Sequence, residues 1–217
     1  MTPTRGSSGG SHPSGTIEPV FVLGVDPGLS RCGYAVVEAQ GRSRTVHAMG
    51  VVRTPSTAHV ARRLASIQAQ IRALIGEYRP AVVAVERVFF QVNVSTAIGV
   101  AQAAGLAMAE GSAAGAEVFE YTPNQVKEAV AGWGAAPKEQ MQRMIQALLG
   151  LEAAPSPADA ADAAAVALCH LAHAPMPSPA TDHGGGLDTR RVLAPSVPRG
   201  PRDRQALGAL ARGEVAR

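Results

Sequence analysis

The stretch VFVLGVDPG (20–28) decides the fold of this chain. Its apolar run over 20–25 predicts a strand, and Pro27 and Gly28 end that strand directly after Asp26. A strand without polar alternation is typical of a sheet that is covered on both faces by helices. Asp26 is therefore expected at the carboxyl end of a central strand.

The sequence that follows predicts a mixed α/β sheet. Apolar patterns over 33–38 and 45–53 indicate two strands that form a meander with the first. Helical spacing over 57–78 then precedes a short apolar strand, AVVAV (81–85). Further elements are predicted in this order: a buried helix over 95–114, a strand over 117–120, helices over 123–131 and 137–149, and a last helix from Ser156 to about His173. A helix between the meander and the next strand forces parallel pairing, so we expect a five-stranded mixed sheet of order 3-2-1-4-5 with helices on both faces.

Composition divides the chain into three parts. Residues 1–19 are rich in Gly, Ser, Thr and Pro, which predicts a disordered N-terminal extension, and residues 175–217 are predicted to be a flexible Arg/Pro-rich tail. The domain between them, 20–174, has twelve basic and twelve acidic residues, so the net charge of +3 lies in the tail. Overall basicity is therefore weak evidence for DNA binding by the domain.

Two classes of protein are excluded by composition. The sequence has no run of eighteen apolar residues that could span a membrane, and its polar start lacks a secretion signal. Its two cysteines, Cys32 and Cys169, have no CxxC spacing and are expected to be reduced core residues of a cytoplasmic protein.

Two of the predicted central strands end on an acidic residue, the first on Asp26 and the fourth on Glu86. If these strands are adjacent and parallel, both carboxylates emerge at one edge of the sheet, where ligands bind in open α/β folds. Like charges placed so closely repel each other. A divalent cation is the natural compensation.

The last predicted helix supplies a second acidic pair. Asp159 and Asp162 are three residues apart in PADAADAAAVALCH and therefore share one helix face, which is otherwise apolar. Two acids on such a face cost stability unless water or cations surround them. Oxygen ligands without His or Cys indicate Mg²⁺ or Mn²⁺, and two such ions can activate water and stabilise the leaving oxygen of a phosphodiester.

Each acid also has a simpler interpretation by itself. Asp26 can be a turn residue of DPG, and Glu86 a solvated charge at a strand end. Ser156 and Asp159 match a capping box, whereas Asp162 lies too deep in the helix to cap it. Only the joint placement of all four favours a metal centre.

Four segments, in order and spacing, resemble the RuvC family of crossover-junction endodeoxyribonucleases: LGVDPGLSRCGYAVV, VVAVERVFFQVN, EYTPNQVKEAV and PSPADAADAAAVALCH. The resemblance covers about residues 20–173. It implies an RNase H-like fold and a homodimer that nicks two opposed strands of a four-way (Holliday) DNA junction during recombination and repair. It also implies a branch-migration motor as partner and Mg²⁺ or Mn²⁺ as cofactor, held by Asp26, Glu86, Asp159 and Asp162. With two ions in each active site, the expected products carry a 5′ phosphate and a 3′ hydroxyl.

Two lysines fall within or beside the resembling segments. Lys127 in NQVKEAV and Lys138 in AAPKEQ are the only lysines of the chain, against eighteen arginines. Simple surface charge is one interpretation. The resemblance favours phosphate contact, with Lys127 near the scissile group and part of catalysis.

The segment after Glu86 carries the remaining DNA-binding candidates, Phe89, Phe90 and Arg87. Inward packing is the usual role of phenylalanine, but the resemblance implies that Phe89 stacks on unpaired bases at the junction centre. Phe90 and Arg87 are weaker candidates of the same kind.

Three residues are assigned structural roles from the sequence. Trp133 is expected to pack into the protein, and His170 and His173 are expected to cap the last helix or to lie on the surface rather than to bind metal.

Rival functions keep the fold and change the chemistry. A sugar kinase or actin-like ATPase needs a second phosphate loop and a longer chain. A junction-binding protein without activity would not need four acids. An RNase H shares the carboxylate chemistry, but it is not expected to need a dimer.

Overall fold

The computed structural model describes residues 18–87 and 94–173, with side chains described throughout except at 94–96. The predicted N-terminal extension and C-terminal tail lie almost wholly outside these ranges. The division of the chain into 1–19, 20–174 and 175–217 therefore remains a prediction.

Five strands form one mixed sheet. They are β1 (Val20–Asp26), β2 (Arg31–Gln40), β3 (Ser43–Arg53), β4 (Val82–Glu86) and β5 (Glu117–Tyr121). The strand order is β3-β2-β1-β4-β5. β1, β2 and β3 pair antiparallel as a meander, whereas β4 pairs parallel with both β1 and β5. The parallel pairs follow from the helical crossovers, because a chain that passes through a helix returns to the sheet in the same direction.

Five helices connect and cover the strands. They are α1 (Val60–Tyr78), α2 (Val94–Ala113), α3 (Pro123–Ala131), α4 (Lys138–Leu148) and α5 (Ala158–His173). The start of α3 is well specified by sequence, since Thr122 caps it, Pro123 occupies its first turn, and Gln125 completes a capping box. Its end is set by Gly132, which adopts φ 83°.

Alternating residues of the strands face two separate cores. We call the side covered by α3, α4 and α5 the α5 face; strand residues such as Val22, Ala35 and Ala84 point into it. The opposite side, covered by α1 and α2, is the α1 face, into which Leu23 and Val85 point. Because side chains alternate along a strand, the two faces separate even- from odd-numbered residues of β1.

The predicted fold class, strand order and two helical layers are confirmed. Element ends differ from the predictions by a few residues, mostly because β2 and β3 pair further along their lengths than their apolar patterns indicate. Cys32 and Cys169 are free and buried, as expected. Among residues 18–87 and 94–173, no helix is long and apolar enough to cross a membrane.

Candidate metal and DNA-binding site

Asp26 and Glu86 lie side by side at the carboxyl edge of the sheet. β1 and β4 are parallel neighbours with Val25 opposite Val85, so the acid that follows each of them leaves the sheet at the same level. Both acids are an even number of residues from the strand residues that point to the α5 face, so their side chains leave the strands on that face too. Strand direction and alternation together bring these two carboxyl groups into contact, and they share a hydrogen bond.

Helix α5 reaches this edge because glycine lets it pack directly on the sheet. A Cβ atom on Gly24 would lie 2.1 Å from the carbonyl oxygen of Ala163, and one on Gly33 would lie 2.0 Å from that of Asp159. Gly33 is paired with Asp26 across β1 and β2. The first turn of α5 is therefore held against the strand pair that carries Asp26.

The capping interpretation of Asp159 is not supported. Helix α5 begins at Ala158, so Pro157 precedes it and Ser156 lies outside the capping position. The carboxylate of Asp159 instead pairs with the guanidinium of Arg31 on β2. Arg31 was not among the site residues predicted from the sequence. It lies two residues before Gly33 on β2, so both residues face the side of the sheet that α5 covers, and this spacing could have identified it.

Burial and mutual repulsion raise the pKa values of three of the acids, Asp26, Glu86 and Asp162. Burial raises the pKa of Asp26 to about 8, and Glu86, Asp162 and Asp159 add to this increase. Burial likewise raises the pKa of Glu86, with a contribution from Asp162, against the lowering effects of its hydrogen bond with Asp26 and of the Lys127 charge.

Asp162 completes the acidic group at its solvent side. Although the residue is exposed, the surrounding protein raises the pKa of its carboxyl and Asp159 adds to that, whereas Lys138 and Lys127 lower it. The charges of the other three predicted acids therefore all act on Asp26.

A cavity of about 310 Å³ joins two of these acids to the two lysines. Glu86 and Asp162 line it together with Lys127 from α3 and Lys138 at the start of α4. Lys127 is half-buried and Lys138 is exposed. The chain thus has negative and positive groups on the walls of one opening, a combination that suits a phosphate held beside bound cations.

The donor set fits a hard divalent cation, since the four acids supply only carboxylate oxygens. Their side chains are not arranged as a finished site: across the described ranges, no three His, Cys, Asp or Glu side chains are grouped to hold an ion. Two contacts account for this. Asp26 and Glu86 hydrogen-bond each other, and Asp159 is turned to Arg31.

Of the remaining DNA-binding candidates, Arg87 is the one that the structure describes. The exposed guanidinium of Arg87 lies 3.9 Å from the carboxylate of Glu120, beside the last residue of β4. Phe89 and Phe90 lie outside the described residues.

Two of the structural assignments made from sequence are wrong, and one is confirmed. His170 is buried, with Nδ1 2.9 Å from the Tyr121 hydroxyl, because its position on α5 faces β5. His173 is a helix-end residue as expected, with Nδ1 2.8 Å from the carbonyl oxygen of Cys169. Trp133 does not pack inside the protein: it is 48% exposed, because the turn after Gly132 directs it away from the core.

Comparisons with known proteins agree on one family. A family model described as crossover junction endodeoxyribonuclease RuvC matches residues 22–170. The protein of that name from Moorella thermoacetica is 49% identical over 156 residues, which is 72% of this chain and 93% of that protein. The one from Streptomyces avermitilis is 52% identical over 155 residues, which is 71% of this chain and 88% of that protein.

A solved structure of Thermus thermophilus RuvC in complex with Holliday junction substrate also resembles this chain. The two are 36% identical, with a TM-score of 0.67, over 70% of this chain and 93% of that one.

Proposed function

Because this chain belongs to the RuvC family of crossover junction endodeoxyribonucleases, we propose that it resolves Holliday junctions with the carboxylates of Asp26, Glu86, Asp159 and Asp162. The observation that carries the proposal is the convergence of these acids at the carboxyl edge of β1 and β4, where Glu86, Asp162 and two lysines line one cavity. The carboxylate chemistry of the four acids, the raised pKa values of Asp26, Glu86 and Asp162, and the neighbouring cationic groups support a site for a phosphodiester and divalent cations.

The four acids would hold the ions from two sides. Asp26 and Glu86 face the site from the sheet, and Asp159 and Asp162 from the start of α5. Bound Mg²⁺ or Mn²⁺, two ions in each active site, would supply an activated water and neutralise charge on the leaving oxygen. In-line attack on phosphorus with departure of the 3′ oxygen gives a 5′ phosphate and a 3′ hydroxyl.

The lysines bind and orient the phosphate. Lys127 acts on the charges of both Glu86 and Asp162, so its ammonium lies close enough to these acids to face a phosphate bound among them. Lys138 acts on Asp162 from the exposed rim. We assign Lys127 to charge stabilisation at the scissile phosphate and Lys138 to a neighbouring backbone contact. Arg87 contributes to the same surface, and the Phe89 and Phe90 assignments to base stacking rest on the sequence resemblance.

The wider assembly follows from the reaction. Two opposed nicks need two active sites, so the working form is a homodimer. A branch-migration motor on the same junction is the expected partner, and chromosomal junctions place the protein in the cytoplasm.

The test is cleavage of a synthetic four-way junction in Mg²⁺ or Mn²⁺ by the native chain and by Asp162→Asn. We expect paired symmetric nicks from the native chain and at least a hundredfold slower cutting by the variant, roughly the effect of removing one charge-stabilising group. Junction binding without metal should persist in Asp162→Asn.

Glu139→Gln is a matched control, since Glu139 is an exposed acid in the first turn of α4. It should cut at the native rate. A native chain that binds junctions but cuts none with either metal contradicts the nuclease proposal, and preferential cutting of an RNA–DNA hybrid duplex would favour an RNase H.

A further inference from the structure

Trp133 is the one tryptophan of the chain, and it lies on the surface. Its side chain is the largest apolar group that protein chemistry offers, yet 48% of it is exposed. Both cores of the domain accommodate large apolar side chains such as Ile and Leu. An indole exposed to this extent is accessible to a binding partner.

The indole is held in one orientation. Its ring nitrogen lies 3.3 Å from Oε1 of Gln140 on α4, so the N–H donates to that amide. The turn that carries it is fixed at both ends, by Gly132 at the end of α3 and by the bond from the Ala136 amide to the Trp133 carbonyl oxygen, 3.3 Å. An oriented aromatic ring on a closed turn loses little conformational entropy when it binds a partner.

The same turn borders the acid–lysine cavity. Ala136 and Lys138 line that cavity with Lys127, and the turn from Gly132 to Pro137 joins the two helices that carry these lysines. A DNA strand whose phosphates lie on Lys127 and Lys138 must therefore pass beside the turn. Aromatic rings next to a cationic groove are the usual means by which proteins bind the bases and sugars of a nucleic acid strand.

We propose that Trp133 is a DNA-binding residue that packs its indole against a base or deoxyribose of the bound junction next to the cut strand. This inference rests on the proposed function and extends its DNA surface from the lysines to the α3–α4 turn. Trp133 positions the strand and does not touch the reacting atoms. Its removal therefore weakens binding and leaves the cutting rate of the saturated complex unchanged.

The experiment uses the full chain and a four-way junction, first in EDTA so that no cutting occurs. Since Trp133 is the sole tryptophan, fluorescence excited selectively at tryptophan reports on this residue alone. Junction DNA should quench its emission and shield it from acrylamide. The Kd of Trp133→Ala should rise about tenfold, and Trp133→Phe should retain most of the affinity because it keeps an aromatic face.

Leu148→Ala is the matched control. Leu148 is 43% exposed on the same helix that Lys138 begins, roughly 15 Å away from that lysine along the helix axis. This variant should bind the junction as the native chain does. Single-turnover cutting in Mg²⁺ should be equally fast for the native chain and Trp133→Ala at saturating protein.

Three results would overturn the inference. An unchanged Kd of Trp133→Ala does so, whatever its fluorescence shows. Loss of dimer by Trp133→Ala in analytical ultracentrifugation would mean that a second copy of the chain covers the indole. A native chain that neither binds nor cuts junctions removes the proposed function and this inference together, whereas native cutting with an unaffected Trp133→Ala removes this inference alone.

Discussion

Two helices on opposite faces of the sheet, α5 and α1, differ strongly in composition. On the α5 face, the buried residues of α5 are mostly alanine, and the strand beneath them carries Gly24. On the α1 face, the buried residues of α1 include Ile67, Ile71 and Leu74. One helix thus lies directly on the strands, and the other is held away by branched side chains.

This difference accounts for the position of the candidate site. Branched side chains remove much apolar area from water, and the α1 face stabilises the fold by that route. Alanine contributes less area for each residue but lets backbones approach closely. The first turn of α5 therefore comes within reach of Asp26, and all four acids and both lysines belong to elements of this face.

The largest effect is expected when a glycine on each face is replaced by alanine. Gly24→Ala should lower the free energy of unfolding by about 3 kcal/mol, because its Cβ would lie 2.1 Å from the Ala163 carbonyl oxygen and the backbone must move. Gly105→Ala on α2 meets no atom within 4 Å and should raise stability by about 0.5 kcal/mol, as alanine favours helices. Urea unfolding measures both; equal effects would mean that α5 does not depend on a close approach to the sheet at Gly24.

The second prediction compares the two lysines of the α5 face. Lys127 is half-buried and acts on Glu86 and Asp162, whereas Lys138 is exposed and acts on Asp162. Lys127→Ala should slow single-turnover junction cutting about a hundredfold and Lys138→Ala about tenfold, because a shielded charge is stronger than one in water. Junction affinity measured without metal should fall by similar amounts for both. A larger cutting defect in Lys138→Ala would reverse the assigned roles.

The third prediction concerns the loss of folding stability caused by burying Asp26 on the α5 face. The folded chain holds the pKa of Asp26 at about 8 against an ordinary 3.8. Between these values the folded chain keeps a proton that the unfolded chain has lost, so stability falls as pH rises through this window. Asp26→Asn lacks this fall and should be more stable than the native chain at pH 8 by about 2 kcal/mol.

Thermal unfolding in EDTA between pH 5 and pH 8 measures this difference. Glu139→Gln, which removes an exposed acid, should follow the native pH profile. Parallel profiles for Asp26→Asn and the native chain would mean that burial and repulsion do not act on Asp26.

Some features of the candidate site could be predicted from the sequence and others could not. Asp26 and Glu86 were predictable, since each ends an apolar strand and parallel neighbours share an edge. Asp162 was predictable from helical spacing to Asp159. The Arg31–Asp159 ion pair and the exposure of Trp133 were not, because one depends on the register between a strand and a helix far apart in sequence, and the other on the direction in which a turn leaves the core.

By itself, the sequence determined the order of elements, the strand order and the ends of β1 and β4 at Asp26 and Glu86, because apolar periodicity, turn residues and crossover rules are local or topological. Only the tertiary structure decided the contacts that control those acids. Two glycines let α5 approach the sheet, Arg31 holds Asp159, and two lysines meet Glu86 and Asp162 in one cavity. Such contacts depend on distances of a few ångströms between distant segments, and packing fixes these distances where no local pattern records them.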